Sequence, residues 1–195
     1  MMPYFPVRAA LATFLALSLV ACSAPVTQVA VPPVASDLSV RPLVSSLEVR
    51  EISLPRYAAS DDVVRAGLEG GIDTVPATMW ADTPERGLTL HLADALARIT
   101  GARVASEPWP FSEPPAATAT VRVTRLLGGV NAAGQGRLLF SGSYAIAPVA
   151  SGLNDRAGRF DIQVPLAGDS PQDLANAQSA ALGQLAETLA RRIAR

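Results

Sequence analysis

The chain has 195 residues, with 16 basic and 17 acidic side chains and a net charge of −1, which allows one domain plus appendages and argues against a nucleic-acid binder. Every basic residue is Arg, so Schiff-base and P-loop lysine chemistry is excluded, and the single His91 and single Cys22 exclude intrachain disulfides and Cys/His metal clusters. The apolar fraction is 49% against 17% charged, enough to build a core and too apolar for a disordered chain.

Residues 1–21 read as a signal peptide. Ala9–Val20 is almost wholly apolar, interrupted only by Thr13 and Ser18. Twelve helical residues reach about 18 Å, short of a ~30 Å hydrocarbon core, so this is an export signal and not a span. It ends in Leu19-Val20-Ala21-Cys22, which resembles a bacterial lipobox, with Leu three residues before the Cys and a small residue just before it. That resemblance implies cleavage before Cys22 and acylation of its thiol and new amine. Two or three acyl chains anchor stably where one does not. Ser23, in the place where Asp would retain a lipoprotein at the inner membrane, implies the outer membrane.

Residues 22–44 are expected to form the lipidated Cys22 and a flexible tether. Ser23–Ser36 carries Pro25, Pro32 and Pro33 and no charge, a composition that extends the chain. Its valines leave open that part of it packs on the domain. The domain proper is expected over 45–195.

Leu47-Glu48-Val49-Arg50 alternates and runs on through Ile52 to Leu54-Pro55, which predicts a strand that Pro55 ends or places at an edge. Val63-Val64 predicts a short strand, and Glu69–Asp73 a turn. Asp82-Thr83-Pro84-Glu85 is a helix start, with Thr83 as cap and Pro84 in the first turn. Leu88, Leu92, Leu96 and Ile99 then share one face, and Gly101 is a left-handed stop. Glu107-Pro108-Trp109-Pro110 and Glu113-Pro114-Pro115 exclude helix and central strand. Val121 and Val123 alternate with Thr and Arg, predicting a strand, followed by a glycine-rich loop over 128–136. Leu138, Phe140, Tyr144 and Ile146 form one face of the next strand, where Gly142 marks a bulge or a close contact. After a loop over 148–158, Phe160, Ile162, Val164 and Leu166 alternate with polar residues. Ser170-Pro171-Gln172-Asp173 repeats the helix start as a capping box, and Leu182, Leu185, Leu189 and Ile193 line the last helix. The order predicts an α+β fold: a mostly antiparallel sheet with two long helices on one face, the other face open to water or a partner.

Little chemistry is visible. His91 reads as the flank of a core-facing helix stripe. There is no Gly-x-Ser-x-Gly turn, and Ser141-Gly142-Ser143 lies within a strand. The glycines at 128–136 join two strands, so they are no phosphate cradle. Asp61, Asp62, Glu69 and Asp73 lack calcium-loop spacing. No metal, cofactor or catalytic residue is expected. Tyr57, Trp80 and Trp109 stand in connecting segments, as loop anchors or as partner-interface candidates.

The ordered motifs resemble the ABC-type transport auxiliary lipoproteins, in particular the PqiC-like members. Ile52-Ser53-Leu54-Pro55-Arg56-Tyr57, Asp61-Asp62-Val63-Val64, Met79-Trp80-Ala81 before a Leu-rich helix, Val121-Arg122-Val123-Thr124 and Phe140–Tyr144 occur in the family's order behind a lipobox. The sequence departs from the family where Glu85 replaces a Leu and Tyr144 a Trp. The resemblance implies a non-enzymatic accessory at the outer membrane, facing the periplasm. Its partners would be an MCE-domain tunnel protein and inner-membrane transport subunits, of Pqi type or ABC-driven, with some relatives forming rings. A structural or assembly lipoprotein of another envelope complex is the alternative.

Overall fold

The computed structural model describes residues 25–68, 70–131, 133–149 and 154–194. Eight strands and two helices follow in the order β1 (Thr27–Val29), β2 (Ser46–Val49), β3 (Asp62–Ala66), β4 (Ile72–Trp80), α1 (Pro84–Thr100), β5 (Arg103–Ser106), β6 (Ala117–Val130), β7 (Gly136–Pro148), β8 (Arg156–Leu166) and α2 (Pro171–Ile193). The fold is α+β. A five-stranded sheet runs β5-β2-β6-β7-β8, and a small sheet runs β1-β4-β3. Antiparallel pairing dominates by length through β6, β7 and β8, whereas β2 is parallel to both β5 and β6.

The long strands alternate as their sequence dictates. Leu138, Phe140, Tyr144 and Ile146 of β7, and Phe160, Ile162 and Val164 of β8, are buried against the helices. The helices contribute Leu88, Leu92, Leu96 and Ile99 from α1 and Leu182, Leu185, Leu189 and Ile193 from α2, each at most 3% exposed. Gly142 marks both features at once. Opposite it, β6 shifts register between Val123 and Arg125, and a Cβ added to Gly142 would press on the Arg122 carbonyl and on Phe160. The Tyr144 ring lies directly on its cross-strand partner, Gly158.

Several expectations need correction. Residues 25–44 are laid against the domain and do not hang free. Thr27–Val29 pairs with Thr78–Trp80. Val29, Val34 and Val44 are buried, Arg98 Nη2 donates to the Val34 carbonyl at 2.6 Å, and Ser179 Oγ donates to the Pro33 carbonyl at 3.2 Å. The Val40 and Leu43 N–H groups donate to the Ile99 and Ile193 carbonyls, which end the two helices. The prolines thus shape an extended strap whose valines face inward. β2 ends at Val49, ahead of Pro55, and is not an edge: it is interior to its sheet, and all four of its residues are buried.

Ile72 and Asp73, read as turn, begin β4. Pro76 and Ala77 (φ 50°) break its alternation, and its register against β3 shifts there. The turn itself is Gly70-Gly71, both at positive φ. Gly128 and Gly129, read as loop, lie inside β6 because Leu174 and Ala66 occupy the space their side chains would fill. β5 was not anticipated. It is a short edge strand.

The two helix starts differ. Ser170 Oγ accepts from the Asp173 N–H at 3.1 Å and Asp173 returns the bond to the Ser170 N–H, a complete capping box. Thr83 occupies the cap position of α1 without a side-chain bond. The preceding Asp82 accepts from the Thr83 N–H at 2.9 Å and also pairs with Arg86. Ser170→Ala is therefore expected to cost about 1 kcal/mol and Thr83→Ala a few tenths, read as midpoint shifts in urea unfolding.

Candidate functional site

The lipobox residues Leu19, Val20 and Ala21 and the acceptor Cys22 lie outside the described residues. The three aromatic candidates are described, and the fold places them in separate surroundings.

Tyr57 is a loop anchor. The chain turns after Pro55, whose carbonyl accepts from the Ala58 and Ala59 N–H groups. This brings the Tyr57 hydroxyl to the Leu126 N–H, from which it accepts at 3.2 Å. The edge of β6 needs such partners, because β2 pairs only with Ala117–Ala119. Beyond it, Ser53 bonds Val121 and Val123, Tyr57 takes Leu126, and Ala66 of β3 lies against Gly129. The Val121 carbonyl and the Val123 and Leu126 N–H groups at this edge are thereby satisfied. Tyr57→Phe removes one acceptor and is expected to cost about 1 kcal/mol.

Trp80 ends β4, opposite Val29 of β1. Its N–H donates to the Asp61 carbonyl at 2.7 Å. The half-buried indole lines a narrow crevice with Val29, Val31, Leu88, His91 and Gln178, between the small sheet and both helices. His91 is therefore a wall of that crevice at the flank of α1.

Trp109 belongs to an aromatic turn outside β5 that sequence reasoning saw only in part. Its Nε1 donates to the Glu113 carbonyl at 2.6 Å, and its ring meets Phe111 edge-on with centroids 4.9 Å apart. The Arg103 guanidinium lies 5.2 Å from the Phe111 centroid, and Phe111 is 43% exposed. Phe111 lacks a sequence signal because no apolar periodicity runs through the Pro-rich 107–115 segment. This cluster supports itself and not the core, so Trp109→Ala is expected to leave stability within about 0.5 kcal/mol, whereas Tyr57→Ala, which removes packing as well as the bond, costs more than Tyr57→Phe. Thermal melts of the variants check the contrast.

Buried hydroxyls tie the elements together. Thr89 Oγ1 accepts from the Ile52 N–H at 2.9 Å and donates to the Glu85 carbonyl at 2.6 Å, tying α1 to the segment after β2. Ser46 Oγ accepts from the Ala116 N–H at 2.9 Å. Among the described residues, no group of three or more His, Cys, Asp or Glu is placed to hold a metal ion, and no helix is long and apolar enough to cross a membrane. Ser141 and Ser143 point from β7 to the open sheet face.

The sequence profile described as ABC-type transport auxiliary lipoprotein component matches residues 27–190. The chain belongs to this family. The match starts at the first strand of the strap and ends within α2, so the family unit includes most of the segment expected as tether. Among curated proteins none matches. The fold is similar to that of protein XCC0632 from Xanthomonas campestris, with a TM-score of 0.69, 16% identity, and coverage of 86% of this chain and 94% of that one. It is equally similar to an uncharacterized protein, with a TM-score of 0.68, 18% identity and coverage of 87% and 99%. At these identities the likeness is one of fold.

Proposed function

We propose that this member of the family is a non-catalytic lipoprotein. Acylated Cys22 anchors it in the outer membrane, and its domain docks the periplasmic tunnel of an MCE/Pqi-type or ABC-type lipid-transport system. The observation that carries the reading is the junction of two independent features: a lipobox ending at Cys22 and a transport-auxiliary domain that begins at Thr27. An auxiliary component works by holding other subunits in place, which suits a molecule whose buried polar side chains serve its own backbone.

Co-purification with an MCE-domain protein of the same cells tests the docking. Enrichment over an unrelated outer-membrane lipoprotein is expected. Equal recovery from both would remove the MCE assignment, and specific recovery of a different envelope complex would replace it.

A further inference from the structure

We infer that the open face of the five-stranded sheet is a docking trough for an extended acidic segment of a partner protein. The inference deepens the proposed docking role and rests on it only for the existence of a protein partner. Cross-strand register sets the geometry. Arg122 of β6, Ser143 of β7 and Arg159 of β8 form one row, and Arg125, Ser141 and Asp161 the next. The next row, Leu127, Leu139 and Gln163, is uncharged, and beyond it Arg137 stands between Gly129, against which Ala66 lies, and Pro165, and donates to Gln163 Oε1 at 2.8 Å. The side chains at Ser141 and Ser143 are short, so they form a floor between Arg122 and Arg125 on β6 and Arg159 and Asp161 on β8, two strand spacings, or about 10 Å, apart.

Three arginines of this face stand outside the ion pairs of the described residues. The ion pairs of the described residues use Arg50, Arg65, Arg86, Arg98, Arg103 and Arg191. Arg122, Arg125 and Arg159 are in none of them, although the chain as a whole is slightly acidic. On this face of β6–β8 the only carboxylate is Asp161.

The spacing of the arginines selects the ligand. From the Arg122–Arg159 row to Arg137 is six residues along β7, or about 20 Å. Charges spread along that length do not converge on one phosphate. They match an extended chain of about six residues with carboxylates on one side.

The test uses the full chain purified from membranes in nonionic detergent, with the mass of its amino terminus read on the same sample, so that loss of the anchor and loss of the trough are separate results. The probe is a fluorescent extended Glu/Ser peptide, followed by anisotropy. Binding is expected at ~0.05 M salt and should weaken steeply by ~0.3 M. Combining Arg122→Ser, Arg125→Ser and Arg159→Ser should weaken it about tenfold or more with an unchanged thermal melt, and Asp161→Asn should tighten it. A Lys/Ser peptide should not bind. Equal binding by the triple variant, or by the Lys/Ser peptide, would overturn the inference. It would also fall if a Cys22→Ala protein bound phosphatidylglycerol vesicles through the same arginines, or if the arginines proved to drive self-association, because the occupant would then be lipid or a second copy.

Discussion

Gly142→Ala is expected to destabilise the domain by about 3 kcal/mol or more, enough to leave much of the chain unfolded at 37 °C. The added Cβ would lie 2.9 Å from both the Phe160 ring and the Val123 Cα, and closer still to the Arg122 carbonyl oxygen. Two of these are backbone atoms of the neighbouring strand, so relief requires β6 and β7 to separate at the centre of the sheet. The Phe140 and Phe160 rings, 4.9 Å apart between centroids, close the space from the helix side. Ser141→Ala, one residue away on the open face, is the control and should shift stability by no more than about 0.5 kcal/mol. Urea unfolding of the two variants gives the comparison, and equal midpoints would show that the sheet yields at Gly142.

Removing residues 25–44 is expected to cost about 5 kcal/mol and to abolish cooperative unfolding. Three buried valines leave with the segment, each contributing about 1.5–3 kcal/mol by burial. The Arg98 guanidinium and Ser179 hydroxyl lose the carbonyls they bond, and the ends of both helices lose donors at Ile99 and Ile193. Gly183, in the middle of α2, is the counterpart of this strap. A Cβ there would stand 3.2 Å from Val34 and 3.3 Å from the Ala35 carbonyl. Gly183→Leu should therefore lift the strap and reproduce part of the loss, despite the better helix propensity of Leu. Calorimetry distinguishes this from a free tether, for which deletion would leave the melting temperature unchanged.

Elements with strong periodicity and clear punctuation were legible in the sequence. The α1 and α2 stripes, the Gly101 stop, the Ser170 box and the β7 and β8 alternation needed only local rules. What was hidden depended on partners distant in sequence. β1 is three residues long and is a strand only because β4 lies beside it. β4 carries Pro76 and a left-handed Ala77, so its pattern reads as breaks. β5 borrows its order from β2. Gly128 and Gly129 look like loop until Leu174 and Ala66 are seen to need their space. Glu48 looks outward-facing by alternation but is 9% exposed.

The same division holds for the candidate site. Tyr57, Trp80 and Trp109 were visible as aromatics in connecting segments, but composition alone did not sort anchor from surface. Tyr57 is tied to β6, Trp80 to the junction of β1 and α1, and Trp109 to Phe111. The arginine trough was foreshadowed by an open face carrying Thr, Arg, Asp and Gln. Its rows appeared only when the β6 bulge set Arg122 opposite Ser143 and Arg125 opposite Ser141.

The proposed role at the outer membrane presumes a lipid-held protein, and intact-mass spectrometry of the native form purified from membranes tests that directly. The expected species begins at Cys22 and carries a diacylglyceryl thioether with an acylated amine, the multiple chains that stable anchoring needs. A species that keeps Met1, or one that bears Cys22 as a free thiol, would contradict it.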